Sequence, residues 1–377
     1  MNKKLFTLLI AALCISNVSF ANIFRVGYTG TPLAGVDYTT VQEANDAANA
    51  GDTIQIYGTV TGGYITKRLV ILGFGYNLDV HPGLQVVAED APSYSSISFM
   101  GGSDGSIVKG VSVDQFRLYA SDYNDGTAVP ISNITFERCC GNFFFYNISI
   151  NSNYGSISNI NIIACAIPGS IYLESVGQSD GGSPLTGLLI ANSVFGSSGG
   201  GIVISNPGTT ATILNCVFIG NITLRLYDAQ VLVKNCIYDG NANYPPTNGS
   251  NINTIFENNL FSQAQPSPLP PGSSNLWGQA TTNIFVTGDD DNSKKNPADI
   301  ENFDETFYTL KAGSPALGAG LNASNQPTDC GIFGGEPAYK YVISGIPPIP
   351  AIYQLTAPGQ AATVNPYNIT ISVRSNN

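Results

Sequence analysis

The sequence predicts an all-β chain wound as a parallel β-helix. Three observations carry this expectation. A frame recurs every 20 to 28 residues, each copy contains a strand of period two, and the 41 glycines with only 11% charged residues favour strands and turns over helices.

Taken in chain order, Lys3 and Lys4 precede an apolar run from Leu5 to Ile15 and then Ser19-Phe20-Ala21, so residues 1–21 are expected to be a secretory signal peptide. Cys14 follows Leu13, where bacterial lipidation wants a small residue, and is not taken as a lipid anchor. No later run reaches the eighteen or so apolar residues of a membrane helix, so no membrane span is expected. Without Lys3 and Lys4 the chain has 13 basic against 26 acidic residues, a net charge of −13, which argues against nucleic acid or an anionic membrane as partner. One histidine leaves little room for His-based catalysis or metal binding.

"TTVQEANDAANAGD" supplies the first element. Thr40 with Glu43 three residues on forms a capping box, Val41, Ala44, Ala47 and Ala48 share a face, and Gly51 stops the helix, which spans about 40–50 and plugs the end of the stack.

The repeats follow. Six segments share a frame with origins at Cys139, Cys165, Ser193, Cys216, Cys236 and Asn259. The preceding residue is Asn192, Asn215, Asn235 and Asn258 in the last four, Arg138 and Ala164 in the first two. Three and five residues before the origin stand the inward pairs Ile134/Phe136, Ile160/Ile162, Leu188/Ile190, Ala211/Ile213, Val231/Val233 and Thr254/Phe256. The Asn is expected at a left-handed corner, its amide bonded to the Asn of the coils above and below, and the thiol as a small apolar filler one place on. Free buried thiols are expected over disulfides, and at most one of Cys139 and Cys140 points inward. A second strand column has Phe116 and Leu118, Phe143 and Phe145, Ile171 and Leu173, Ile202 and Ile204, Leu224 and Leu226 inward, giving three strands per coil with the short piece after each origin.

The coils are assigned to residues 22–335. Residues 336–377, with "SGIPPIPAIYQLTAPG" and then "NITISVRS", are expected to form a Pro-rich linker and a terminal strand pair.

The chain resembles the secreted right-handed parallel β-helix proteins of bacteria, the pectate-lyase-like superfamily in its broad sense. "YTTVQEANDAANAGDTIQIYG" with "ITKRLVILGFGYN" is similar to their opening, and "LKAGSPALGAG" with "TDCGIFGG" resembles the closing coil common among Bacteroidetes members. The resemblance implies a right-handed helix, secretion to the outside or surface of a Gram-negative cell, and a polysaccharide bound on the outer face of one sheet, here the second column. It does not select among lyases, hydrolases, epimerases and adhesins.

Alternation puts Arg117, Tyr119, Phe144, Tyr146, Tyr172, Glu174, Val203, Ser205, Arg225 and Tyr227 on that outer face. Aromatic rings stack on apolar sugar faces while guanidinium groups bond hydroxyls, so Arg117, Tyr119, Phe144, Tyr146, Tyr172, Glu174, Arg225 and Tyr227 are the expected glycan-binding residues. The same tyrosines also suit a half-wet pleated surface without a ligand. The connections "SDYNDGTAVPIS" and "SVGQSDGGSP" would wall the groove. Turnover is less well provided for. A lyase base would be Arg225, with Tyr227 and Lys234 nearby, yet the stripe holds one carboxylate, Glu174, where calcium needs several oxygens and a hydrolase needs two acids. His81 in "DVHPG" reads as a turn. Asp289, Asp290 and Asp291, or Asp122 and Asp125, could hold calcium, though solvated turns account for them. The expectation is a monomeric, secreted, glycan-binding or adhesin-like protein without cofactor or catalysis, the alternative being a lyase of acidic polysaccharide.

Overall fold

The computed structural model describes residues 21–27, 35–58, 60–81, 83–84, 93–146, 155–174, 185–196, 201–204, 208–220, 223–226, 229–240, 253–286, 295–297, 303–356 and 369–374. The expected signal peptide, the stretch 289–291, Ser205 and Tyr227 lie outside them, as do the side chains of Glu174, Arg225 and Leu226.

Each coil starts with a strand whose alternate residues point into the stack. These strands pair in parallel into an eleven-stranded first sheet, from Ile23–Gly27 and Thr53–Tyr57 through Thr135–Glu137, Asn161–Ile163, Leu188–Ala191, Thr210–Leu214, Gln230–Lys234 and Thr254–Glu257 to Gly272–Ser273. A second parallel sheet of twelve strands carries both the short piece after each corner and the second column, joined through the long strand Cys140–Tyr146. A third, with Ile131–Ser132, Ile157–Ser158 and Leu185–Thr186, closes three of the coils. The molecule is a parallel β-helix, as the repeat frame predicts. The two-residue strands of the third sheet are too short to show a period.

All twelve residues expected inward in the first sheet are buried, as are Phe116, Leu118, Phe143, Phe145, Ile171, Leu173, Ile202, Ile204 and Leu224 in the second. Strand spacing of about 4.8 Å dictates how aromatic residues at equivalent places meet. Phe195, Phe218, Tyr238, Phe261 and Trp277 accordingly form a stack with successive centroids 4.7, 4.6, 4.7 and 4.1 Å apart. This explains the aromatic that returns in "NCVF" and "NCIY".

The residue before each origin is left-handed in all six coils, with φ of 58° at Arg138, 54° at Ala164, 47° at Asn192, 50° at Asn215, 57° at Asn235 and 55° at Asn258. The origin is more than a filler. The Cys139 amide N–H donates to Cys165 Sγ (3.4 Å), Cys165 to Ser193 Oγ (3.1 Å), Cys216 to Cys236 Sγ (3.4 Å), Cys236 to Asn259 Oδ1 (2.8 Å) and Asn259 to Asn275 Oδ1 (3.0 Å). The Cys and Ser side chains also donate to the carbonyl two residues before them, as Cys216 does to Leu214 (3.3 Å) and Ser193 to Ala191 (2.9 Å), while Asn259 Nδ2 donates to Val233 O (3.0 Å) of the preceding coil. Cys, Ser and Asn interchange here because each places an acceptor where a buried backbone N–H needs it, together with a donor for a carbonyl: the same Sγ or Oγ in Cys and Ser, Oδ1 and Nδ2 in Asn.

The corner amides depart from the expected ladder. One Asn–Asn bond forms, Asn235 Nδ2 to Asn215 Oδ1 at 3.2 Å. The other bonds reach a C-terminal strap that runs back along the corner column toward the N-terminal coils. Asn258 Nδ2 donates to Ala319 O (3.3 Å), Asn235 to Leu321 O (3.0 Å), Asn215 to Asp329 O (2.9 Å) and Asn192 to Ile332 and Gly334 O (both 2.7 Å). Arg138 replaces the amide with its guanidinium, Nη1 donating to Ile346 O (2.9 Å). The strap leaves its own carbonyls in a buried seam, and side-chain N–H groups at the corner satisfy them, whereas stacked amides would leave them bare. Gly335, at φ 81°, has Asn215 Oδ1 2.6 Å from where a Cβ would stand, so the glycines of "TDCGIFGG" permit this approach.

The strap also builds a second core outside the coils. Val194, Val217, Ile237 and Leu260 face Ile284, Phe285, Phe303, Cys330 and Ile332. The short strands after the corners are therefore buried on both faces, which is why Val217–Ile219 reads as an unbroken apolar triplet. Cys139 belongs to the inner core and Cys140 to the outer one, so the vicinal pair splits as expected. Residues expected to add a closing coil and a linker run along this seam instead, with Tyr341 and Ile346 buried. Ala351–Thr356 and Thr370–Arg374 then pair antiparallel, the expected terminal strand pair.

At the N-terminal end, the helix Val41–Ala47 has both bonds of its Thr40/Glu43 capping box and packs Val41 and Ala44 on the core. Ala47, expected inward, is exposed, and Asn45 is buried in its place because its amide bonds the Thr66 backbone N–H (3.1 Å) and hydroxyl (3.2 Å). Lys67 Nζ closes the other end on the carbonyls of Asn45 (2.8 Å), Asp46 (3.2 Å) and Ala48 (2.7 Å), a cation at a helix C-terminus.

The six described cysteines are unbridged and buried. Burial raises the thiol pKa values of Cys165 and Cys236 well above the ordinary range and that of Cys330 to about 12. A chain lacking residues 1–21 should therefore resist iodoacetamide when native and take up six equivalents in urea without reductant. A Cys216–Cys236 cross-linked peptide in the mass spectrum would contradict the thiol ladder.

Candidate functional site

The second sheet presents its outward residues in register. Parallel pairing aligns Tyr64, Ser98, Arg117, Phe144, Tyr172, Val203 and Arg225 along one row, and Tyr119, Tyr146 and Glu174 along the next. Strand spacing brings these rings together. Tyr119 and Tyr146 stack at 4.7 Å with planes 9° apart, Tyr146 and Phe144 lie 6.1 Å apart at 14°, and Phe144 meets Tyr172 at 6.2 Å and 49°. The four rings are half-buried, so a contiguous aromatic surface faces outward over three coils.

The polar residues beside it are held by local bonds. Arg117 Nε donates to Gln115 Oε1 (2.8 Å), two places along the same outward stripe. Asn142 Nδ2 donates to Asp114 O (3.2 Å) and its Oδ1 accepts from Ser170 N–H (2.8 Å), fixing the strand on which Phe144 and Tyr146 sit. A guanidinium and a fixed amide beside stacked rings can bond hydroxyls at the edge of a ligand whose face lies on the rings.

Sequence reasoning missed two tyrosines. Tyr64, on the strand Gly63–Ile65, and Tyr123, in the connection after Tyr119, pack at 4.7 Å and 45° and are 40% and 45% exposed. Tyr64 stands outside the six coils of the repeat frame. Only pairing through Ser98 puts it in the row. The connection with Tyr123 folds on itself, with a Ser121–Ala128 bridge, Asp122 Oδ1 accepting from Asn124 N–H and Asp125 Oδ1 from Thr127 N–H (both 2.8 Å). The bond from Thr127 holds the Asp125 carboxyl below its ordinary pKa. Both acids thus accept bonds within their own turn. The other expected wall, residues 175–184, lies outside the described residues.

Lys234 belongs to the first sheet and Arg225 to the second, so the pair weighed for lyase chemistry is split between two faces of the coil. His81 lies at a turn, as expected, far along the chain from the acids it meets, Asp304 and Glu305.

Comparison of the chain with protein-family models, with curated proteins and with solved structures found no match. The outward faces must therefore be weighed on their own chemistry. The first sheet carries a groove of about 660 Å³ lined by Thr210, Thr212, Gln230, Leu232, Ile255 and Pro271 among others, with no aromatic ring in its lining. Aliphatic and hydroxyl groups supply shape but no stacking platform for a sugar ring. No helix among the described residues is long and apolar enough to cross a membrane.

Proposed function

We propose that the protein is a secreted, non-catalytic glycan-binding protein of the right-handed pectate-lyase-like β-helix type, acting outside or on the surface of a Gram-negative bacterium. The observation that carries this reading is the contiguous stack of Tyr119, Tyr146, Phe144 and Tyr172 on the outer face of the second sheet. The expected signal peptide and the acidic charge support an extracellular, non-anionic target. Stacking on neutral sugar faces needs no ion pairs, so the ligand class favoured is a neutral oligosaccharide, and affinity should vary little between low and high salt.

A double variant, Tyr146→Ala with Tyr172→Ala, is expected to lose at least about tenfold in affinity, about 1.4 kcal/mol or more, while its melting temperature stays close to that of the parent, because both rings lie outside the inner core. Titration of an array-selected oligosaccharide by calorimetry reads the first effect and a thermal scan the second. Undiminished binding by the double variant would remove the platform. The lyase reading keeps one supporting observation, the alignment of Arg225 with Phe144 and Tyr172 in a single row. Growth of unsaturated-uronate absorbance that disappears in Arg225→Ala would favour that reading over binding alone.

A further inference from the structure

His81 is the chain's one histidine, and it is built into a corner that the glycan face does not use. Its Nε2 lies 3.0 Å from Glu305 Oε2 and 3.6 Å from Asp304 Oδ1, and the three atoms are all within 4.8 Å of one another. Two carboxylates against one imidazole leave a net negative charge even when the imidazole is protonated. Asp79 adds to that field, and the Glu305 side chain is fully buried, where uncompensated charge is costly.

We propose that His81, Asp304 and Glu305 bind a zinc ion. Ligand atoms about 2.05 Å from a tetrahedral zinc stand about 3.3 Å apart, and the two measured separations from Nε2 bracket that value. One imidazole nitrogen with two carboxylate oxygens suits zinc, whereas calcium takes six to eight oxygens. A dication with neutral imidazole cancels the two carboxylate charges. The supporting bonds fix both carboxylates. Glu305 Oε1 accepts from Ser344 N–H (2.8 Å), which aims Oε2 at His81 from behind, and Asp304 Oδ1, the oxygen nearest His81, is itself placed by bonds from Thr306 N–H (2.9 Å) and hydroxyl (2.5 Å).

The position gives the ion a structural task. Asn77 Nδ2 donates to Phe303 O (3.0 Å), Ser344 Oγ to Asn77 O (3.2 Å), and the Tyr76 and Tyr341 hydroxyls meet at 2.7 Å, so three segments distant in sequence converge around His81. Zinc there would staple the strap to the N-terminal coils. The Glu305 hydrogen bond raises the imidazole pKa, so protons compete for Nε2, and the measurement belongs at about pH 8.

The test uses the full mature chain without an affinity tag. After equilibrium dialysis against micromolar zinc chloride, elemental analysis should find one zinc per chain and a thermal scan a higher melting temperature. His81→Ala and Asp304→Asn should each lose the bound zinc and the thermal shift, and calcium chloride should produce neither. If His81→Ala does not fold, the isosteric Asp304→Asn decides alone. Absence of retained zinc, or zinc retained by the folded variants, would overturn the site, the latter by placing the metal on other ligands such as the thiols.

Discussion

Asn235→Ala is expected to destabilise the protein by about 3 to 5 kcal/mol, well beyond the ordinary cost of a surface amide. Three bonds end on this buried side chain. Nδ2 donates to Leu321 O (3.0 Å) and Asn215 Oδ1 (3.2 Å), and Oδ1 accepts from Leu321 N–H (3.1 Å). Alanine would leave both backbone groups of Leu321 in a closed seam without partners, at about 1–3 kcal/mol for each stranded group, and would hold an L side chain at φ 57°, which costs about 1–2 kcal/mol more. Asn235→Gly separates the two contributions, since glycine accepts the left-handed backbone and loses the amide alone. Urea denaturation gives the totals. Hydrogen exchange gives the location, because protection should fall over residues 319–335 before it falls in the coils. Unchanged protection there would mean that the corner does not hold the strap.

Phe218→Ala is the second large effect expected, about 3 to 5 kcal/mol. Phe218 lies between Phe195 (4.7 Å) and Tyr238 (4.6 Å) in the five-ring stack and is 1% exposed. Neighbouring coils are fixed at the strand spacing by their ladder bonds, so they cannot close on the vacated space and the cavity persists. Phe218→Leu fills most of it and should cost less than half as much. Equal midpoints for the two variants would show that the stack relaxes around the gap.

Much of this architecture was legible because a solenoid writes its layers into the sequence. The period-two pairs from Ile134/Phe136 to Thr254/Phe256 are all interior. Left-handed corners fall where Asn was read, and also at Arg138 and Ala164, where only the frame pointed to them. The destination of the corner amides was not legible. An Asn that bonds its neighbour and an Asn that bonds a strap a hundred residues away look alike in sequence, and "TDCGIFGG" carries glycines without saying what approaches them. The hydrogen-bonding role of the thiols was hidden for a related reason, since Cys, Ser and Asn share an acceptor but no hydropathy. Five further rungs of the first sheet lie outside the six-fold frame read from the sequence.

At the candidate site, alternation put Tyr119, Phe144, Tyr146 and Tyr172 on one face, and strand register brought them into contact. Tyr64 and Tyr123 escaped because one precedes the repeat frame and the other rides on a turn. His81 escaped because its partners, Asp304 and Glu305, stand 223 and 224 residues further along the chain and meet it only through the returning strap.

The most direct measurement of the functional claim is a crystal structure of the protein with a neutral oligosaccharide selected on a glycan array. The outer faces of the first and second sheets offer different chemistry, and the position of the sugar decides between them. Pyranose rings lying on Tyr146, Phe144 and Tyr172, with hydroxyls near Arg117, is the predicted result. Sugar seated instead in the first-sheet groove beside Thr212, Leu232 and Ile255, with the aromatic face bare, would contradict it.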